Sequence, residues 1–493
     1  MMKILIANRG EIAVRIIRAC QELGIRSVGV FTDVDKVALH VRFADEVYPL
    51  SDRRDYLNPK AILEAAKKSR AIAIHPGYGF LSENADFARE VEQAGLVFIG
   101  PTEDTIRLAG NKIAAKMMVR QLGVPVLDGS EGLLPREYSP SLTTNVRFPV
   151  LVKAAGGGGG RGIRLALTAE ELPNMIDIAR REARAAFGSD EVYLEELVQQ
   201  ARHIEVQIFG DGNGNVISLG DRECSIQRRR QKLIEEAPVS GIESALQQKI
   251  NDAAILIAHQ MQYRSLGTVE FLVDDADHFY FMEINPRLQV EHPTTEMVTG
   301  IDLVKEQIVL AMEKKIQFDQ SSVQIKGKSM EARILAEDPW MNFQPSTGQI
   351  TNLREAGGPG VRIDSALYSG MNVSSEYDSL LAKVIVWAED RNSAINRLRR
   401  ALREYQIAGI STDIPFLLQI LDHPQFVDGK VTTNILDTIQ PQNEMMENEL
   451  LKEIAGITAL LAHQKQKSTS NHHHRIASHW QMTAWREQNG RDW

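Results

Sequence analysis

Gly267-Thr-Val-Glu270-Phe-Leu-Val273, Asp274-Asp-Ala-Asp-His278 and Phe279-Tyr-Phe-Met-Glu283-Ile-Asn285-Pro-Arg287-Leu-Gln289-Val-Glu291-His-Pro293 follow one another directly, and their reading decides the fold. Two runs rich in β-branched and aromatic residues flank an acidic turn, the pattern of a β-hairpin. A loop over 275–278 sets Glu270 opposite Glu283 on one face. Two unbridged carboxylates so placed repel. A hard cation shared with phosphate oxygens resolves the conflict, so Mg²⁺ is the expected partner, with Asn285 on the same face completing its site. The plainer alternative is a solvated outer face, against which the apolar flanking residues argue.

The alternation runs on. Glu283, Asn285, Arg287, Gln289 and Glu291 are separated by Ile284, Pro286, Leu288 and Val290. In an extended chain all five polar groups share a face. Arg287 then offers a planar fork for an anion, and Glu291 is placed to act as a base. An edge strand of mixed charge is the competing reading.

Outward from this stretch, Lys153-Ala-Ala-Gly156-Gly-Gly-Gly-Gly160-Arg161-Gly162 follows a strand pattern at 148–152. Glycine has no Cβ, so a run such as Gly158, Gly159 and Gly160 lets backbone N–H groups approach phosphate closely. No Gly-Lys-Ser/Thr follows, which excludes a P-loop. The strand before the run and Ile163-Arg-Leu165 after it predict a hairpin-like flap over a nucleotide rather than a linker. Asp221-Arg-Glu-Cys224-Ser-Ile-Gln227-Arg-Arg-Arg230-Gln-Lys232 concentrates cations, read either as a solvated loop or as a phosphate or carboxyphosphate site. Arg333 lies on a strand pattern, where a salt-bridge role is the ordinary reading. Cys224 reads as structural, and His203 alone as an ordinary histidine.

Residues 3–7, 27–31 and 71–75 read as strands alternating with helices, which argues a doubly wound α/β domain over the first 110 residues. The first turn lacks GxGxxG, so no dinucleotide site is indicated. A helix in 111–130 stops at Gly123-Val-Pro125, and 146–210 reads as a small α/β insertion. Residues 328–440 are strand-rich before a helix at 393–405. Residues 441–493, with His472–His474, read as a helical or partly ordered tail; the histidines are read as solvated, and Trp480, Trp485 and Trp493 suit either partner contact or self-docking. At 493 residues roughly two to four domains are expected. A net charge of −9 disfavours nucleic acid and anionic membrane. Two cysteines suit a reducing compartment, and the short apolar start at Met1 is no signal peptide. With no run of about 18 apolar residues, a cytoplasmic location is expected.

Together these pieces resemble the biotin carboxylase family of ATP-grasp enzymes over residues 1 to about 440. The resemblance is carried by Ile6-Ala-Asn-Arg-Gly-Glu-Ile12, His75-Pro-Gly-Tyr-Gly-Phe-Leu-Ser-Glu-Asn84, the glycine run, Arg202-His-Ile-Glu205, Cys224-Ser-Ile-Gln-Arg-Arg229 and Phe281-Met-Glu-Ile-Asn-Pro-Arg-Leu-Gln-Val-Glu-His-Pro293. It implies an α/β (α+β ATP-grasp) fold in three parts. These are a Rossmann-like pre-ATP-grasp domain over 1–112, an ATP-grasp domain over 113–328 with a mobile lid at about 131–205, and a C-terminal domain over 329–440, followed by the tail.

The same resemblance implies an ATP-dependent ligase that carboxylates biotin through carboxyphosphate. It assigns ATP to Lys112, Lys153, Gly158, Gly159, Gly160, Glu195, Leu197, His203, Gln227, Glu270 and Glu283. It assigns Mg²⁺ or Mn²⁺ to Glu270, Glu283 and Asn285, and bicarbonate to Lys232, Arg287, Gln289 and Val290. Glu291 is the implied base and Arg333 the cation facing the biotin enolate. Relatives usually carry His at the position of Arg230 and often Lys at that of Glu196, which puts nucleotide contact at those points in question.

No Met-Lys-Met biotinylation motif occurs. The expectation is therefore a separate biotin carboxyl carrier protein and a separate carboxyltransferase subunit. The acceptor, whether acetyl-CoA for fatty acid biosynthesis, propionyl-CoA or pyruvate, is not chosen by the sequence. A homodimer is implied by the resemblance alone. A retuned ATP-grasp ligase without biotin and a catalytically silent scaffold are the alternatives.

Overall fold

The computed structural model describes residues 2–130, 132–136, 147–156, 162–441 and 456–461. The chain divides into two units, Met1–Gln440 and Pro441–Trp493. In the second, residues 456–461 are helical and exposed. The His472–His474 triplet and Trp480, Trp485 and Trp493 lie outside the described residues, as do Gly158, Gly159 and Gly160.

The first strands, Lys3–Ile6, Arg26–Phe31, Glu46–Pro49, Ala73–His75 and Val97–Phe98, pair in parallel in the spatial order third, second, first, fourth, fifth. This is the doubly wound order that strand–helix alternation predicts, and ligands of such sheets gather where the order reverses. Here that point lies between the first and fourth strands. Asn8, in the turn after the first, donates from Nδ2 to Pro76 O and Tyr78 O, both at 2.7 Å. The contact fixes the Tyr78 loop at the edge of a large cavity.

A second, small sheet has Val150–Ala154 between Ile163–Ala166 and Val192–Glu196, all antiparallel, with the helix Leu172–Phe187 packed on it. Lys153 pairs with Ile163, so the two arms flanking the glycine run form the hairpin expected of them.

The third sheet has eight antiparallel strands in the order Phe279–Asn285, Arg264–Val273, Arg202–Asp211, Val216–Arg228, Gln231–Ala237, Lys328–Leu335, Leu380–Ala388, Val361–Ser365. Alternation divides it into two faces. Ile204, Val206, Val269 and Phe271 pack with the helix Ser244–Gln260, and Met330, Ala332, Ala382 and Val384 pack with the helices Arg391–Glu404 and Ile414–Asp422. The opposite face carries charge. Glu283, Glu270, Glu205 and Arg222 stand opposite one another in a row across four strands. Like charges directly opposed across strands are destabilising, so this row demands cations.

Two expectations need correction. The hairpin loop is Asp274–His278, with Val273 paired to Phe279, and Glu270 meets Glu283 because Met282 is an extra, bulged residue between Phe281 and Glu283. The polar ladder is also shorter than expected. The strand ends at Asn285, the Arg287 N–H turns back to Asn285 O at 2.9 Å, and Glu291 is the N-cap of the helix His292–Thr299. Pro286 and Pro293 are the physical reason: one lacks the donor to extend the ladder, and the other suits a helix's first turn.

Candidate functional site

The charged face of the large sheet, the Tyr78 loop and the small sheet enclose a cavity of about 620 Å³. Lys112, Lys153, Glu195, Leu197, His203 and Gln227 line it, as do Lys232, Glu270, Glu283 and Asn285. Arg287, Gln289, Val290 and Arg333 complete the expected set at its wall. Glu291 lies beneath that wall, fully buried, and meets it through Lys232 and Arg333.

Lys232 is the hub. Its ammonium reaches Glu291 Oε1 at 2.6 Å, Glu205 Oε2 at 2.7 Å and Glu270 Oε1 at 3.2 Å. Arg229 and Arg230 form the positive-φ turn that delivers Lys232 back along the sheet. Arg333 bridges Glu291 and Glu235, with Nη2 2.9 Å from Glu291 Oε2 and Nε 2.6 Å from Glu235 Oε1. Burial pushes the Glu291 carboxyl up, but Lys232, Arg333 and Arg222 outweigh it and hold the group well below the usual carboxylate range. Glu235 goes the other way: burial dominates and raises it to about 7 despite Arg333.

The acidic pair is neutralised by the protein's own cations, which corrects the argument from bare repulsion. Glu283 takes Lys112 at 2.8 Å and Glu270 takes Lys232 at 3.2 Å, with the His203 ring hydrogen-bonded beside it. Gln227 Nε2 donates to His203 Nδ1 at 2.5 Å, which leaves the ring proton on Nε2, 2.9 Å from Glu270 Oε2. Asn285 Nδ2 donates to Glu270 Oε1 at 2.7 Å. Two carboxylates and an amide oxygen at one wall are hard donors of the kind that hold Mg²⁺ or Mn²⁺, so the residues fit such an ion. His203, Glu205 and Glu270 also bring ligand atoms within 4.8 Å of one another, although Arg222 and Lys232 already span Glu205.

Arg287 is turned to Glu83 at 2.6 Å, Gln289 Oε1 at 2.8 Å and Asn285 Oδ1 at 3.2 Å, so these residues meet through a turn and not along a strand. Gln289 Nε2 in turn donates to Thr268 at 2.8 Å. Across the cavity, Glu195 accepts from both Lys153 and Lys116. Burial raises its carboxyl, and the two lysines override this to bring it to about 2. Arg230 and Glu196 both lie at the wall. Of the basic run, Arg228 is structural, stacked on Phe343 and 3.2 Å from Glu337. Burial pushes the Cys224 thiol far up, as suits a structural cysteine.

Sequence reasoning assigned no role to Lys116, Glu205, Glu235 or Lys383. Lys116 stands one helical turn after Lys112, and Glu205 two residues after His203, so periodicity could have found both. Glu235 and Lys383 depend on strand pairing over long separations, which local pattern does not reveal.

Comparison with known proteins agrees along the chain. Residues 1–106 match the family described as biotin carboxylase, N-terminal domain. Residues 111–318 match the carbamoyl-phosphate synthase L chain, ATP binding domain, and 331–438 the biotin carboxylase C-terminal domain. The chain is similar to biotin carboxylase 1 of Bacillus subtilis, with 49% identity over 88% of this chain and 98% of that one. It is also similar to the chloroplastic biotin carboxylase of Arabidopsis thaliana, with 46% identity over 92% of this chain and 85% of that one. Among solved structures, the biotin carboxylase domain dimer of Hydrogenobacter thermophilus 2-oxoglutarate carboxylase, in complex with MgADP, ADP and bicarbonate, superposes with a TM-score of 0.86. It is 44% identical over 88% of this chain and 97% of that one.

Proposed function

Because this chain belongs to the biotin carboxylase family, we propose that its cavity carboxylates biotin presented by a separate carrier protein, using ATP and bicarbonate, with each role held by a named residue. The observation that carries the assignment is the Lys232 hub, which draws Glu205, Glu270 and Glu291 to one ammonium. Such a hub joins the acids of a phosphate-binding wall to a buried base.

ATP is taken by Lys112, Lys153, Glu195, Leu197, His203 and Gln227, with Gly158, Gly159 and Gly160 assigned to the same ligand. Glu270, Glu283 and Asn285 would hold Mg²⁺ or Mn²⁺, which supplies neutralisation of the phosphate charge. Bicarbonate takes Lys232, Arg287, Gln289 and Val290. In the free site Lys232 and Arg333 suppress the basicity of Glu291; an anion that draws on those cations restores it. Glu291 then takes the bicarbonate proton as oxygen attacks the γ-phosphorus and ADP leaves. Carboxyphosphate breaks at its C–O bond to carbon dioxide and phosphate. The phosphate removes the biotin N–H proton, Arg333 balances the enolate, and the nitrogen attacks carbon dioxide. Positioning and charge stabilisation do most of the work.

Residues 1–112, 113–328 and 329–440 are the working divisions, with the lid at about 131–205. Arg230 and Glu196 tune the nucleotide end. The enzyme acts as a homodimer in the cytoplasm, beside a biotin carboxyl carrier protein and a carboxyltransferase subunit. Among the described residues no helix is long and apolar enough to cross a membrane.

The test is ADP release with ATP, Mg²⁺, bicarbonate and free biotin, each omitted in turn. Release that needs ATP, Mg²⁺ and bicarbonate and rises sharply when biotin is added, with a fall on the order of 10³-fold in Glu291→Gln, is the expected outcome. Release indifferent to biotin would identify a ligase with another acceptor.

A further inference from the structure

We propose that Lys383 is a positioning residue for the bicarbonate chemistry, pinning the peptide from which Glu291 projects. Lys383 stands on the strand Leu380–Ala388, opposite Arg333 on one neighbouring strand and Asp364 on the other. The three side chains therefore share the charged face of the sheet, against which residues 290–291 lie. The Lys383 ammonium is 0% exposed. It is 3.2 Å from Glu11 Oε1 and 3.9 Å from Asp364 Oδ2, and it donates to Val290 O at 2.8 Å.

A lysine so deeply buried is costly to ionise, and two carboxylates offset that cost. Glu331 adds no hydrogen bond: neither of its oxygens has a partner among the described residues. The hydrogen bond that remains goes to a main-chain carbonyl, that of the residue immediately before Glu291. A trans peptide is planar, so holding Val290 O fixes the plane from which Glu291 continues. The carboxylate then meets Lys232 at 2.6 Å and Arg333 at 2.9 Å. Base and cations are thus referenced to one sheet face. Glu11 also accepts from the Tyr78 hydroxyl, so the same ammonium is linked to the Tyr78 loop at the cavity's edge.

The inference rests on the reading of Glu291 as the base that meets bicarbonate. Lys383→Met removes the donor while keeping most of the side chain's volume. We expect kcat for bicarbonate-dependent ADP release to fall on the order of 10²-fold, since a misplacement near 1 Å costs that much. The KM for bicarbonate should rise while ADP affinity, measured by calorimetry, stays within about twofold. Asp364→Asn, which keeps the bond to Val290, should lower the melting temperature and leave the bicarbonate constants in place. Wild-type kcat and bicarbonate KM in Lys383→Met overturn the proposal, whatever its melting temperature. If that variant does not fold, Lys383→Arg, which keeps the charge but moves the donors, must show the same bicarbonate-selective loss; wild-type constants there overturn it equally. A fully active Glu291→Gln would instead sink the underlying base assignment, whereas an inactive Glu291→Gln beside an unaffected Lys383→Met sinks this inference alone.

Discussion

Glu195 and Glu291 are both buried carboxylates held by two cations, but they are mounted differently. Glu195 stands on an edge strand of the small sheet, and its partners come from separate bodies: Lys153 from that sheet and Lys116 from the helix Lys112–Gln121. Glu291 stands at the head of a helix, and both its cations, Lys232 and Arg333, belong to the large sheet. The first arrangement joins two parts of the molecule around the nucleotide region. The second makes a fixed charge constellation within one frame. The same electrostatic device thus joins separate elements in one place and holds a carboxylate within a single sheet frame in the other.

The sharpest way to break this contrast is Arg333→Ala. Losing a cation that faces a developing anion should lower biotin carboxylation about 10²- to 10³-fold, while ADP release with bicarbonate but without biotin falls far less. Equal loss in both assays would mean that Arg333 serves only to hold Glu291. Glu195→Gln probes the other mounting. It leaves Lys116 and Lys153 facing each other without a carboxylate, and the KM for ATP should rise about tenfold with the KM for bicarbonate unchanged. A matching rise in both constants would erase the distinction between the two sites.

The smallest effect concerns Glu235, whose carboxyl burial lifts from 4.5 to about 7. A raised acid binds more protons folded than unfolded between those values, so its stability contribution is full below 4.5 and is lost as pH rises towards 7. Glu195 has the opposite sign, with stability present above 4.5 and lost as pH falls through about 2. Glu235→Gln should therefore flatten the dependence of the urea midpoint on pH between 5 and 7. An unchanged slope would assign that titration elsewhere.

What could be read in advance follows the range of the forces involved. The Glu270–Glu283 pairing was legible because a hairpin is local and its alternation is strict, although the bulge at Met282 that produces the register was not. The doubly wound sheet was legible for the same reason, strand and helix periods alternating along the chain. The ladder stops at Asn285 and does not reach Glu291, because Pro286 lacks the backbone donor that a continued period of 2 requires. The row that sets Lys383 between Arg333 and Asp364 joins strands some tens of residues apart, and no local pattern encodes which strands become neighbours. A lysine inside the apolar run Leu380-Leu-Ala-Lys383-Val-Ile-Val386 was nonetheless a visible irregularity.

The extra residue at Met282 has a practical side. It separates the exposed tip at 275–278 from the acids behind it, and the strand that carries Glu270 is anchored independently by its backbone pairing with Arg202–Asp211 on its other flank. The tip is thereby insulated from the working end, which makes it a natural place to graft a fluorophore or an affinity handle onto the enzyme while the acids keep their alignment.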